Sequence, residues 1–158
     1  MGKHGIAGRR AQLVQKGWRS QWTEARATGR GGNSGGTLLA WGRQHFVQQL
    51  LGEGGFAEKQ DANDDWAIVV WNMVGLRFAV GVVYLDDSAG LNKANLAKLH
   101  TLGAALAQLR VPFLIYGDWQ LEPPELMACG WVQKLGALVL PPAGCQITCT
   151  TGRGRLLD

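Results

Sequence analysis

The sequence predicts an α+β domain in which paired antiparallel strands are followed by one long helix and then by further strands. Two apolar runs, WAIVVWNM (66–73) and LRFAVGVVYLDD (76–87), are joined by Val74-Gly75, a two-residue connection typical of a hairpin. The segment 92–110 instead spaces its leucines mostly three and four residues apart, which indicates a helix. A doubly wound parallel sheet would need strands and helices in more regular alternation.

The elements before the hairpin are shorter. AQLVQKGW (11–18) has the pattern of the last turns of a helix, with Gly17 in the C-cap position. A glycine-rich loop (28–36) follows, then a strand, GTLLAWGR (36–43). A polar connection (52–65) leads to the first hairpin strand.

The long helix has one apolar stripe, from which Lys93, Lys98 and Gln108 are expected to be absent. The leucines of the stripe are Leu91, Leu96, Leu99, Leu102, Leu106 and Leu109. Val111-Pro112 ends the helix, and FLIYG (113–117) is predicted to be a buried strand that stops at Asp118. A short helix, PELMAC, follows Pro123, and a second hairpin is predicted between 145–151 and 155–158.

Composition and charge narrow the class of protein. The chain has 158 residues, 46% of them hydrophobic and 18% charged, which suits one globular domain. No apolar run approaches the roughly 20 residues of a membrane span, so a membrane partner is not expected. Residues 1–43 hold eight Lys or Arg against a single acid, Glu24, and this basic flank could follow a phosphate backbone. Cys129, Cys145 and Cys149 form no metal-binding pattern and indicate core thiols in the reducing cytoplasm or nucleus.

The apolar pattern of residues 113–117 does not explain why an aspartate, Asp118, follows them. A carboxylate at the mouth of a hydrophobic strand is costly unless water, a hydrogen-bond donor or a cation compensates it. One interpretation is structural, with Asp118 as a helix cap or turn former before Pro123-Pro124. The other is a functional carboxylate, and Tyr84 has the same two interpretations, because it could equally be a packed strand aromatic.

Four segments together resemble the endonuclease/exonuclease/phosphatase superfamily, Mg²⁺-dependent phosphodiesterases with a four-layer α/β sandwich. Ile115-Tyr116-Gly117-Asp118-Trp119-Gln120, followed by Glu122-Pro123 and Leu126, is similar to the family motif GDxN-x-x-P…L. Ser34-Gly35-Gly36-Thr37-Leu38-Leu39 resembles the SGG-led strand, Val82-Val83-Tyr84-Leu85 the tyrosine strand, and Arg155-Leu156-Leu157-Asp158 the late R-L-D strand.

The resemblance implies a role for each matched residue. Asp118 would position or deprotonate the attacking water or assist a bound Mg²⁺ (or Mn²⁺), Tyr84 would contact the phosphate, and Asp158 would orient a catalytic histidine. Gln120 stands where the family has asparagine, with the same carboxamide one methylene further out. The expected substrate is DNA or another phosphodiester, and four arginines near Trp18 and Trp22 are predicted to contact nucleic acid unless those tryptophans only pack in the core. These arginines are Arg19, Arg26, Arg30 and Arg43.

The resemblance is incomplete at both ends of the chain. The early strands with the family's asparagine and metal-binding glutamate, and the closing segment with its aspartate and histidine, have no match here. The sequence therefore predicts a basic flexible tail (1–10) and a truncated domain (11–158) with impaired activity and exposed sheet edges that favour self-association. One hypothesis is a partial or decayed copy of a retrotransposon nuclease. The alternatives are a non-catalytic nucleic-acid-binding module and a lipid or inositol phosphatase of the same fold.

Overall fold

The computed structural model describes residues 3–27, 31, 33–49, 65–86, 90–141, 143–144, 148 and 156. Its helices are α1 (Lys3–Gln15), α2 (Lys93–Leu109), α3 (Pro123–Ala128) and α4 (Trp131–Lys134). Its strands are β1 (Trp18–Trp22), β2 (Arg26–Ala27), β3 (Asn33–Ser34), β4 (Leu38–Gly42), β5 (Phe46–Gln49), β6 (Trp66–Met73), β7 (Leu76–Tyr84) and β8 (Phe113–Asp118). The α+β class is confirmed, and among the described helices none is both long and apolar enough to cross a bilayer.

The main sheet has the strand order β5-β6-β7-β8. β6 pairs with β5 and β7 in antiparallel register, and β8 lies parallel to β7 after the α2 crossover. The predicted hairpin is confirmed, since Met73 pairs with Leu76 and Gly75 takes a φ of 73°, a left-handed conformation that suits glycine. This connectivity brings the carboxyl ends of β7 and β8 to the same edge.

The helix α2 covers one face of the main sheet. It begins at Asn92, whose side chain accepts a hydrogen bond from the Asn95 amide, and its leucines pack on Trp66, Ile68 and Val83. Two expectations about its apolar stripe are wrong. Leu96 is 46% exposed, whereas Lys98 is only 3% exposed because two buried or half-buried carboxylates compensate its charge.

The expectation that FLIYG (113–117) is a buried strand holds for one face of β8 only. Its side chains alternate, with Phe113 and Ile115 packed against the core while Leu114 and Tyr116 are 46% and 62% exposed. The physical reason is position: β8 is an outer strand of the main sheet as far as the chain is described, and α2 covers only one of its faces. Whether such edges cause self-association stays a prediction.

A two-stranded sheet of β1 and β4 contacts β6 and β7 and buries Trp41. The sequence did not predict β1, because WRSQW has a polar pattern and its partner lies about twenty residues downstream. The helix α1 begins at Lys3 and so includes most of the segment 1–10 that the sequence assigned to a flexible tail. Cys129 is half-buried against the core, whereas Cys145, Cys149 and the predicted second hairpin lie outside the described residues apart from isolated positions.

Candidate active site

Tyr84 and Asp118 lie side by side at the carboxyl ends of two parallel strands. In the register of β7 and β8, Tyr84 is the partner of Asp118, which is the last residue of β8. Paired residues in a sheet project their side chains on the same face. The Leu85 amide donates to the Asp118 carbonyl at 3.0 Å, which holds the two strand ends together. A phenol and a carboxylate 34 residues apart in sequence thus become neighbours.

The glycine before Asp118 is required by the distance between the two strands. A Cβ atom built on Gly117 would lie 2.1 Å from the carbonyl oxygen of Val83, its partner on β7. Any other residue would force the strands apart at this point. Gly117 therefore allows β7 and β8 to stay at pairing distance at the residue before Asp118.

Asp118 is half-buried, and its Oδ1 accepts a hydrogen bond from Gln120 Nε2 at 2.6 Å. Gln120 has a φ of 51°, a left-handed conformation that costs a non-glycine residue roughly 1–2 kcal/mol. The alternative that Asp118 caps the next helix is wrong, because the N-cap of α3 is Glu122, whose amide donates to Glu125 Oε2 at 2.8 Å. The carboxylate and carboxamide of the GDWQ motif thus form one hydrogen-bonded pair.

The loop of Ser34-Gly35-Gly36 reaches the same edge. Ser34 Oγ lies 3.4 Å from the Tyr84 hydroxyl, so the SGG segment and the end of β7 are in contact. Gly35 and Gly36 have φ values of 76° and 83°. A Cβ on Gly35 would lie 2.6 Å from Asp65 Oδ1, and one on Gly36 would lie 2.9 Å from the Ala25 amide nitrogen. Both glycines let the loop close over Asp65.

Beside Tyr84 lies a cluster of four charged side chains, hereafter the charge cluster, formed by Arg26, Asp65, Asp86 and Lys98. Asp65 is 1% exposed and accepts from Arg26 Nη2 at 2.7 Å and from Lys98 Nζ at 2.8 Å. Asp86 Oδ1 accepts from the same two groups at 3.0 and 2.9 Å. The two carboxylates and two cations balance, which is how buried charge is tolerated. The charge cluster joins β2, the residue before β6, α2 and the segment after β7.

The backbone around the charge cluster is held as tightly as its side chains. Asn95, which is fully buried on α2, accepts from the Asp86 amide at 2.8 Å and donates to the Asp86 and Gly90 carbonyls. The Tyr84 amide donates to the Asp65 carbonyl at 2.7 Å, and Lys98 Nζ lies 3.4 Å from the Tyr84 carbonyl oxygen. The chain on both sides of Tyr84 is therefore held by hydrogen bonds to buried groups.

One signal in the sequence could have revealed this cluster. Lys98 follows Asn95 by three residues and precedes Leu102 by four, so helical spacing alone puts it on the buried face. Asp65 stands directly ahead of five buried residues, 66–70. An acid and a base that both fall on buried positions indicate a buried pair.

Comparison with known proteins gives matches only among solved structures. No protein-family model matches the chain, and no curated protein matches it by sequence. The endonuclease domain of TRAS1, a telomere-specific non-LTR retrotransposon, superposes with a TM-score of 0.63 and 13% identity over 89% of this chain and 63% of that domain. The human Nocturnin catalytic domain superposes with a TM-score of 0.52 and 14% identity, over 84% of this chain and 53% of that structure.

The chain has the endonuclease/exonuclease/phosphatase fold. It spans less than two thirds of the length of either of these structures. At these identities the likeness concerns the fold, so the roles of individual residues rest on the geometry above.

Three of the four arginines that the sequence assigns to nucleic-acid contacts lie among the described residues. Arg26 lies in the charge cluster with 31% of its side chain exposed, Arg19 is exposed on β1, and Arg43 Nη2 donates to the Val14 carbonyl at 2.9 Å. Arg30 and Asp158 lie outside the described residues. Among the described residues, the candidate site consists of Ser34, Tyr84, Asp118 and Gln120, which lie beside the charge cluster.

The donors at this edge suit a hard divalent cation. Asp118 and Gln120 carry oxygen ligands, and Mg²⁺ usually binds one or two carboxylates together with waters and substrate phosphates. The described ranges contain no group of three or more His, Cys, Asp or Glu side chains arranged around a common point. The described ranges therefore do not surround a metal with protein ligands alone. They suit a metal site in which Asp118 supplies one ligand and a phosphate supplies another.

Replacing Gln120 with Asn is expected to stabilise the protein. Asn adopts left-handed backbone more readily than Gln, so we expect a gain of about 0.5–1 kcal/mol in the free energy of unfolding. For a chain of this size that raises the melting temperature by about 1–4 °C. Thermal unfolding followed by circular dichroism measures the shift.

Arg110 provides the matched control for this substitution. It is the other non-glycine residue with a positive φ in the described ranges, at 50°, and it ends α2 away from the site. Arg110→Asn should give a similar gain. A drop in melting temperature for Gln120→Asn alone would mean that the longer side chain and its bond to Asp118 outweigh the backbone cost.

Proposed function

We propose that this chain carries the core of a metal-dependent phosphodiester hydrolase that acts on DNA. The observation that carries the proposal is the in-register pairing of Tyr84 with Asp118, with Ser34 in contact with the tyrosine and Gln120 with the aspartate. This arrangement supplies an anionic base and neutral hydrogen-bond donors at the carboxyl ends of β7 and β8. Cleavage of a phosphodiester needs both kinds of group.

The roles follow from the chemistry of the reaction. Water attacks phosphorus, the P–O ester bond opposite it breaks, and the bonding electrons leave with the departing oxygen. The Asp118 carboxylate accepts the proton of the water, and Gln120 holds the carboxylate in orientation. The Tyr84 hydroxyl, steadied by Ser34, donates to a non-bridging phosphoryl oxygen on which negative charge accumulates. A divalent metal bound by Asp118 and the phosphate would neutralise charge on the phosphoryl group and its leaving oxygen.

Gln120 makes slow turnover the expected behaviour. Its carboxamide is one methylene further from the backbone than the family's asparagine, and a displacement of about 1 Å in a reacting group can cost on the order of 100-fold in rate. The chain is therefore proposed to be an impaired member of its fold class.

DNA is the proposed substrate for two reasons. TRAS1, whose domain superposes best of the two structures described above, is named an endonuclease of a retrotransposon. The exposed arginines and lysines of the first 43 residues give this chain a basic flank that would attract a polyanion. Inositol and lipid phosphates share the reactive chemistry but offer no extended chain for that flank.

Supercoiled plasmid tests the proposal directly. We expect slow conversion to the nicked circle with Mg²⁺ and none with EDTA, with little phosphate released from inositol phosphates or phosphoinositides under the same conditions. Equal nicking in Mg²⁺ and EDTA would contradict the proposal. Efficient phosphate release from the lipid substrates without nicking would move the function to the phosphatase alternative.

One observation favours a second candidate, a non-catalytic nucleic-acid-binding module. Gln120 Nε2 donates to Asp118 Oδ1 at 2.6 Å, so this oxygen is engaged within the motif itself. Salt-sensitive DNA binding with no Mg²⁺-dependent nicking, even by Gln120→Asn, would support the module over the enzyme.

A further inference from the structure

A cavity of about 310 Å³ lies between α1 and the β1-β4 sheet, outside the candidate active site. From the helix it is lined by residues spaced three and four apart, and from the sheet by Trp22 and Leu38, which are partners in the register of β1 and β4. Arg9, Gln12 and Leu13 belong to α1, and Lys16 follows directly after its last residue. Its volume is at the low end of the roughly 300–1,000 Å³ of small-ligand pockets.

The cavity exists because α1 presents a polar stripe to an apolar floor. Of the four stripe residues only Leu13 is apolar, and it is half-buried, whereas Arg9, Gln12 and Lys16 remain exposed. A helix that packs on a sheet normally buries an apolar stripe about 100° wide. Here the helix is held at its end instead, by the bond from Arg43 to the Val14 carbonyl.

The floor of the cavity contains Trp22, whose indole ring is held by a hydrogen bond. Trp22 Nε1 donates to Ser20 Oγ at 2.7 Å, and Ser20 is itself buried, so the plane of the indole ring is set. Leu38 beside it is 42% exposed. An aromatic ring held by a hydrogen bond, next to an exposed apolar side chain, is a surface on which a planar ring can stack.

The rim of the cavity is cationic. Arg9 on α1 and Lys16 just after its end both line the cavity and are both exposed. Neither forms an ion pair within the part of the chain that the structure describes, in contrast to Arg26 and Lys98. Arg10 and Arg19 are also exposed, and the first acidic residue of the chain is Glu24.

We propose that this cavity binds one nucleotide of a single-stranded nucleic acid, with the base stacked on Trp22 and Leu38 and the flanking phosphates at Arg9 and Lys16. Unpaired bases expose the faces that such stacking requires, and the backbone supplies the charge that complements the rim. The proposal rests on the proposed function for its ligand class, and it adds a contact away from Tyr84 and Asp118. A strand held here would be guided along the basic flank.

The test is binding of a fluorescein-labelled oligothymidylate, measured by anisotropy in EDTA so that cleavage plays no part. Arg9→Gln/Lys16→Gln should bind about tenfold more weakly at low salt, and its salt dependence should be shallower by about 1.4, roughly 0.7 for each lost phosphate contact on a single strand. Trp22→Leu keeps an apolar floor without an aromatic face and should also lose about tenfold or more.

Lys93→Gln/Lys134→Gln is the matched control. It removes the same charge from two exposed lysines on α2 and α4, and we expect affinity within about twofold of the wild type, since exposed charges away from a site act mainly through screened long-range attraction. Circular dichroism and melting temperature establish that all variants are folded.

Three results would overturn the cavity proposal: equal loss in the control and the cavity variants, no loss in the cavity variants, or competition by polyglutamate as strong as by unlabelled oligonucleotide. Absence of oligonucleotide binding by the wild type would also overturn it. Binding is measured without Mg²⁺, so it does not depend on catalysis. If the wild type binds the oligonucleotide but does not nick the plasmid, only the proposed hydrolase is contradicted. If the wild type nicks the plasmid and Arg9→Gln/Lys16→Gln binds the oligonucleotide as tightly as the wild type, only the cavity proposal is contradicted.

Discussion

Replacing Lys98 with Met lowers the free energy of unfolding by about 3–5 kcal/mol, because the ammonium group of Lys98 neutralises a carboxylate that has no access to water. Asp65 is 1% exposed and would keep only Arg26 as a cationic partner. The methionine fills a similar volume, so the loss reports charge and not packing. Since domains are stable by about 5–15 kcal/mol, the variant should be partly unfolded in mild denaturant. Urea titration followed by circular dichroism measures it.

The double variant Asp65→Asn/Lys98→Met separates this electrostatic effect from simple damage to the core. Replacing both members of a buried pair is often close to neutral, and the introduced asparagine would still accept from the Gly36 amide through its side-chain oxygen, so most of the lost stability should return. Lys93→Met, at an exposed position of the same helix, should change stability by less than about 0.5 kcal/mol. A Lys98→Met variant as stable as Lys93→Met would show that the charge cluster does not hold the fold together.

Local pattern was sufficient to predict the elements that carry the site. The Val74-Gly75 turn, the helical period within 92–110 and the Pro112 boundary each depend on neighbours within a few residues. All three features were confirmed, although Leu96 and Lys98 depart from the predicted stripe. The end of β8 at Asp118 could be predicted for the same reason, since a charged residue interrupts an apolar run.

Contacts between distant residues could not be predicted in this way. Asp65 meets Lys98 and Arg26 across separations of 33 and 39 residues, and a single sequence contains no information on which acid pairs with which base. Lys98 was therefore placed off the apolar stripe of α2, although it is buried in the folded chain. β1 was missed because its stability comes from pairing with β4 and not from the propensity of WRSQW.

The candidate site was reached by resemblance more than by pattern. Tyr84 and Asp118 could be singled out as residues at the ends of apolar strands, but their pairing depends on the parallel register of β7 and β8. The Gln120 φ of 51° and the 2.1 Å limit at Gly117 are properties of the folded backbone. They explain why this motif needs its glycine and why its last residue is under strain.

Asp118→Asn is expected to reduce Mg²⁺-dependent cleavage by about 10²–10⁴-fold, the usual contribution of a positioned general base. The substitution removes the negative charge but keeps an oxygen that can accept from Gln120 Nε2, so the local structure should survive. Melting temperature should therefore change little. Oligonucleotide binding in EDTA should be unaffected or slightly stronger, because an anionic group near the substrate has been removed.

Glu24→Gln is the control for the loss of one carboxylate. Glu24 is exposed between β1 and β2, and its removal should leave the cleavage rate within about twofold, in keeping with the small effect of exposed charges. Loss of cleavage in both variants would point to a general effect of charge on the protein and not to a reaction at Asp118.

The most direct test of a hydrolytic site at the ends of β7 and β8 is the initial rate of Mg²⁺-dependent nicking of supercoiled plasmid. The rate is compared between the wild type and Asp118→Asn at equal concentrations of folded protein. We predict a slow but metal-dependent rate for the wild type that falls at least about 100-fold in the variant. Equal rates for the two proteins, with both abolished by EDTA, would place the reaction elsewhere and contradict the role assigned to this carboxylate.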